Sequence, residues 1–183
     1  MSPDSCRNCS SAGWWSLSEA PDPASHTAAR DVAALAGPAM ASLLGDVLAR
    51  GVPFRFEARG FSMTPFVRDR DVVTVAPLRG RARLGDVVAF AGARGWLVVH
   101  RVVARRGSSY EIRADNGRGA VDVVPVGEVL GVVTRIERGG RDVRLGLGPE
   151  RLLLAGLLRC GLLVPIVRAA RAARARLRRG AVL

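Results

Sequence analysis

Ser62 stands in the stretch A-R-G-F-S-M-T-P-F-V, just after a glycine and just before Met63 and Pro65. Gly60 permits a backbone turn that other residues resist. Pro65 fixes its own φ and keeps Thr64 out of the helical region. The Ser62 hydroxyl is therefore expected on a rigid, non-helical bend at a sheet edge, exposed as a nucleophile must be. By residue type alone a serine on a turn is a turn former, so chemistry requires a base within reach. The chain contains no lysine, which excludes a Ser–Lys dyad, and its α-amine sits at the end of a long polar arm. The remaining common base is histidine, present at His26 and His100 only. His26 lies between Ser25 and Thr27 in a polar segment. His100 lies in the apolar run W-L-V-V-H-R-V-V, where a lone histidine would otherwise be a satisfied core residue. A histidine base needs an acceptor for its second ring nitrogen. Asp115 and Asp122 are the candidates, and either could instead cap a turn. The chemistry such a set performs is attack of a hydroxyl on a carbonyl, with the imidazole taking the proton and handing it to the leaving group. An imidazole base implies activity that falls below about pH 6–7.

The elements that must position these groups are mostly strands. Phe54, Phe56 and Ala58 alternate with Arg55, Glu57 and Arg59, the period of a half-buried strand. Further strands are expected near 72–76, 87–91, 96–104, 109–113, 128–137 and 141–145, with Gly139-Gly140 as a hairpin turn. Asp71 and Asp86 precede two of them and read as turn-forming residues. Ahead of the strands, Val32, Leu35, Ala36, Met40, Leu43, Leu44, Val47 and Leu48 follow the spacing of one buried helical face over 28–50. Pro38 either kinks that helix or starts a second one, and Gly51 is a C-terminal stop.

Of the 183 residues, 49% are apolar and only 5% aromatic, so the core must be built from Val, Leu and Ala. The formal charge is +12 and wholly arginine-based. Residues 1–150 hold 20 arginines against 16 acids, whereas residues 151–183 hold 8 arginines and no acid. A basic extension calls for an anionic partner. Leu152 to Val167 is apolar but interrupted by Arg159 and Pro165, and R-A-A-R-A-A-R-A-R-L-R-R follows. On a helical wheel Ala169, Ala173 and Leu177 share one side, the pattern of a helix lying on an anionic membrane surface through 152–179; a solvated arginine helix fits the same residues. Nucleic acid ranks last, because the tail has no aromatic residue for base stacking. Cys6, Cys9 and Cys160 are an odd set. Cys6-x-x-Cys9 is at most half a zinc site, and reduced thiols are expected. No secretory signal and no uninterrupted span of about 18–20 apolar residues is evident.

In order along the chain come G-F-S-M-T-P, D-V-V-T-V, G-D-V-V-A-F, V-V-H-R-V-V and A-D-N. This succession, over roughly residues 54–137, resembles the boxes of the signal peptidase I superfamily, serine peptidases that also resemble the self-cleaving LexA-type repressors. V-H-R-V-V is similar to the box of the eukaryotic and archaeal-type enzymes, which carry histidine where others carry lysine. The resemblance implies a mainly β, compact, coiled barrel-like domain with flanking helices. It also implies a serine endopeptidase cleaving signal or leader peptides from precursor polypeptides. Ser62 would be the nucleophile and His100 the base. Asp122 stands where the family places its second aspartate and is favoured as the third member. Asp115, in a box with Ala114 for the family's glycine, would give structural or hydrogen-bonding support. The Ser62 backbone N–H would help hold the oxyanion; Gly60-Phe61 offers no evident side-chain donor beside it. Met63 would face substrate or pack. The organisation expected is an arm over 1–27, a helix over 28–50, a β domain over 51–149 and a helical tail over 150–183. No cofactor is implied. The family's membrane spans are missing, so membrane association would be peripheral or through the C-terminal segment, and the chain otherwise cytoplasmic. Two other readings stay open. One is a repressor-like peptidase acting on a dedicated leader or on its own Ala12-Gly13 or Ala36-Gly37 bond. The other is a non-enzymatic β domain that binds anionic surfaces.

Overall fold

The computed structural model describes residues 38–180, with side chains through Leu177. Helix α1 (Pro38–Ala49) begins on the proline, which has no N–H to leave unpaired in a first turn. It ends before Gly51, whose φ of +79° provides the left-handed residue that terminates helices. Met40, Leu44 and Leu48, one helical turn apart, are its buried stripe. Residues 28–37, and with them Ala36-Gly37, lie outside the described residues, as do His26, Cys6, Cys9 and Ala12-Gly13.

Eight antiparallel strands follow: β1 (Phe54–Glu57), β2 (Val72–Pro77), β3 (Val87–Ala91), β4 (Leu97–Arg106), β5 (Ser109–Arg113), β6 (Asp122–Pro125), β7 (Val129–Arg138) and the short β8 (Arg141–Asp142). Their order is β1-β2-β7-β3-β4-β5-β6, with β8 added to β7, and the sheet curls into a half-barrel. Register shifts at Thr74/Val75, Ala89/Phe90 and Val102/Ala104 mark bulges, which bend strands and increase twist. Strand β3 is buried on both faces. Val87 and Ala89 join the cluster under α1, while Val88 and Phe90 join a second cluster with Tyr110, Ile112 and Val124. That double burial is why β3 reads as an unbroken apolar run rather than an alternating one. The fold is mainly β and barrel-like, as expected.

Two details differ from expectation. Asp122–Pro125 forms β6, although the run is short and ends in proline. Its pairing with β5, Ile112 opposite Asp122, supplies what local propensity does not. Residues 141–145 contribute only a two-residue strand, closed by Gly139 and Gly140 at φ +55° and +74°, the two positive values a tight hairpin demands.

The apolar C-terminal segment divides into α2 (Arg151–Arg159) and α3 (Leu163–Gly180), separated at Gly161 with φ +72°. Leu154, Leu158 and Leu163 pack with Phe66 and Val103 in a third cluster. The two helices are bent by 112°, and no single described helix is long and apolar enough to cross a membrane.

Candidate active site

The loop between β1 and β2 carries Ser62. Gly60, at φ +97°, turns the chain, and its N–H donates to Asp69 Oδ1 at 2.8 Å. Beyond it Met63 is buried in the core under α1. Asn116 fixes the loop from the other side: its backbone N–H donates to the Ser62 carbonyl at 2.9 Å and its side-chain Nδ2 to the Phe61 carbonyl at 3.1 Å. With the backbone held at both ends, the Ser62 side chain is left exposed. The Ser62 N–H has no partner among the described residues and is free to donate to a substrate oxygen.

His100 lies on β4 with its side chain 16% exposed. Its Nδ1 is 3.0 Å from Asp122 Oδ2. The ladder explains this contact. Asp122 pairs with Ile112 and Ile112 with Val102, which puts Asp122 within two positions of His100 across the sheet. The carboxylate favours the tautomer with hydrogen on Nδ1, leaving the Nε2 lone pair for another partner. The edge of the ring approaches Phe90, centroid to centroid 6.2 Å. Ser62 and His100 line one cavity of about 390 Å³, together with Met40, Phe56, Met63 and residues 96–99. Among the described residues no hydrogen bond joins the hydroxyl to the ring.

Asp115 is placed elsewhere. Its carboxylate accepts Arg101 Nε at 2.8 Å and Nη2 at 2.7 Å, and both side chains are fully buried. Arg101 Nη1 donates to the carbonyls of Gly85 and Gly146, each at 2.8 Å, and its guanidinium lies 5.6 Å from the Phe66 ring centre. A buried charge is tolerated when paired and fully hydrogen-bonded, and this one ties β4 to three loops. Gly85 must be glycine here: φ is +87°, and a Cβ would lie 2.6 Å from the Arg151 carbonyl oxygen. Burial pushes the Asp115 carboxyl above the ordinary aspartate range, against the pull of the two Arg101 hydrogen bonds. Asp71 and Asp86 accept backbone N–H groups of Arg68 and Arg83, at 2.7 and 2.8 Å, in turns before β2 and β3. Asp71 is also held by both ends of the Arg138 guanidinium.

Arg101 and Asn116 received no role from the sequence, though one signal was there. The run V-V-H-R-V-V is apolar at both parities on either side of Arg101, the pattern of a strand covered on both faces, and an arginine buried there needs a carboxylate. No protein-family model matches this chain, and no curated protein matches it. The arrangement offers an exposed hydroxyl, an imidazole oriented by a carboxylate and a free backbone donor around one apolar cavity.

Proposed function

We propose that this chain is a serine endopeptidase of signal-peptidase type, with Ser62 as nucleophile, His100 as base and Asp122 as the group that orients the base. The observation that carries the reading is the shared cavity of Ser62 and His100, with His100 Nδ1 3.0 Å from the Asp122 carboxylate. Ser62 Oγ attacks the scissile carbonyl while Nε2 takes its proton, and the Ser62 N–H donates to the oxyanion. The protonated ring then gives its proton to the leaving amine, and water repeats the sequence to release the acyl group.

The strands around the cavity suit an extended polypeptide. Among the described residues β1 pairs only with β2, so its other edge is open. β4 pairs with β5 from Arg101 onward, so its Leu97–His100 half is open on that side as well. Phe56, Glu57 and Ala58 line one side of the cavity and Leu97, Val98 and Val99 another. A peptide laid between them can pair with strand edges while apolar side chains fill the space. The substrate class proposed is therefore a precursor polypeptide cut within an extended apolar segment. An anionic membrane surface is the proposed place of work. Ile166 and Leu177 are exposed on α3, at 47% and 75%, Leu162 is exposed just before it, and the helix carries six arginines.

Incubation with a precursor bearing an apolar leader, read by intact mass, tests the reading. Cleavage by the native chain and none by Ser62→Ala or His100→Ala is expected. Full cleavage by either variant removes the mechanism. A chain that loses only its own N-terminal segment is the repressor-like alternative.

A further inference from the structure

A second cavity, of about 230 Å³, lies behind the Ser62 loop, where Phe61 and Thr64 meet Asn116, Arg118 and the first turns of α3. Three arginines line it: Arg118 from the loop after β5, and Arg168 and Arg171 from α3. None of the three is paired with a carboxylate among the described residues, whereas Arg55, Arg101, Arg135, Arg138 and Arg151 are. The acid in the lining is Asp115, and both its oxygens are taken by Arg101. Three like charges around one small space repel, and an anion seated among them reverses the sign of that term.

The cavity is held in place by packing. Leu163 is buried and Val167 packs against the same cluster. Val164 approaches the Gly117 turn so closely that a Cβ on Gly117 would lie 2.5 Å from its Cγ2. The glycine lets helix and turn come together, which brings Arg118 to the same cavity as Arg168 and Arg171. Thr64 adds a hydroxyl whose Oγ1 is buried with no protein partner. Its hydroxyl hydrogen is free to turn toward an acceptor.

We propose that this cavity binds a phosphate group. Three forked cations suit a tetrahedral anion with three free oxygens better than a planar carboxylate with two. A phosphate reaches such a site either as a lipid headgroup or as the free ion. The proposal does not rest on the peptidase reading, because none of its ligands reacts and Ser62→Ala should bind phosphate unchanged.

The test uses the full chain with Arg118→Gln and Arg171→Gln, against Arg174→Gln as a charge-matched control. All three side chains are exposed, so folding is preserved. In co-sedimentation with vesicles of phosphatidic acid, whose headgroup keeps three free oxygens, and phosphatidylcholine, each cavity variant should lose about tenfold or more in affinity, as for a lost charge-assisted hydrogen bond. The control should lose about fivefold or less, as for a charge that contributes only to the general field. In parallel, inorganic phosphate at constant ionic strength is titrated while Tm is read. A rise in Tm for the native chain but not for Arg118→Gln identifies the free ion as a ligand. A cavity-specific loss on vesicles with no rise in Tm identifies the lipid headgroup. Equal losses for all three variants, together with no phosphate-dependent Tm, overturn the proposal.

Discussion

Replacing Asp122 by Asn isolates the contribution of the group behind the histidine. The two side chains keep the same shape, and the contact at 3.0 Å can still form. What is lost is a negative charge beside a ring that, in the mechanism proposed, becomes positive in the transition state. Charge centres about 4 Å apart interact by about 1 kcal/mol in water and about 4 kcal/mol at the effective dielectric of a protein surface. The Asp122 side chain is 40% exposed and that of His100 16% exposed, which places the pair between those limits. A loss of about 2 kcal/mol follows, or roughly a 30-fold fall in rate. This is well below the roughly 10⁴-fold cost of the same change at a fully buried triad aspartate. Phosphonylation of Ser62 by a fluorophosphonate, with loss of fluoride, followed by intact mass over time, reads the activation of the hydroxyl without knowledge of the substrate. The native chain should label at Ser62 and Ser62→Ala should not. Asp122→Asn should label about 30-fold more slowly, with an unchanged urea midpoint because the site is part-exposed. An unchanged labelling rate would refute the orienting role, and a large loss of stability would mean that Asp122 holds the fold rather than the ring.

Arg101→Met alone leaves the Asp115 carboxylate buried without its partner and should cost about 3–5 kcal/mol in urea unfolding. The double variant Arg101→Met with Asp115→Leu should recover most of that; no recovery would mean that the two carbonyl contacts of Arg101, rather than the ion pair, hold the loops. Glu150 accepts the backbone N–H groups of Gly146 and Gly148, at 2.6 and 3.1 Å, and the first of these holds its carboxyl below the ordinary value of 4.5. Its contribution is present above that value and is lost as pH falls through the lower folded one. Tm of the native chain should therefore drop more steeply below about pH 4.5 than that of Glu150→Gln, and parallel curves would show that the carboxylate contributes nothing to the loop.

Much of this fold is legible because burial writes itself into the chain with the period of the element. Met40, Leu44 and Leu48 announce a helix, and Val73 and Val75 between less buried neighbours announce a strand. β6 is not legible, since V-D-V-V-P owes its state to a neighbour on the far side of a turn. The choice between Asp115 and Asp122 shows where local reading stops and register takes over. Both aspartates stand near turns, and type and flanking residues do not separate them. Strand geometry does. His100 and Arg101 are consecutive on β4, so they must project from opposite faces. The imidazole turns to the cavity and the guanidinium to the interior, and each recruits the carboxylate that its own face can reach. One carboxylate therefore pairs with a group that can trade protons, and the other with a group that cannot. Asp122 changes should act on rate and Asp115 changes on stability, because a strand of period two keeps the two pairs apart.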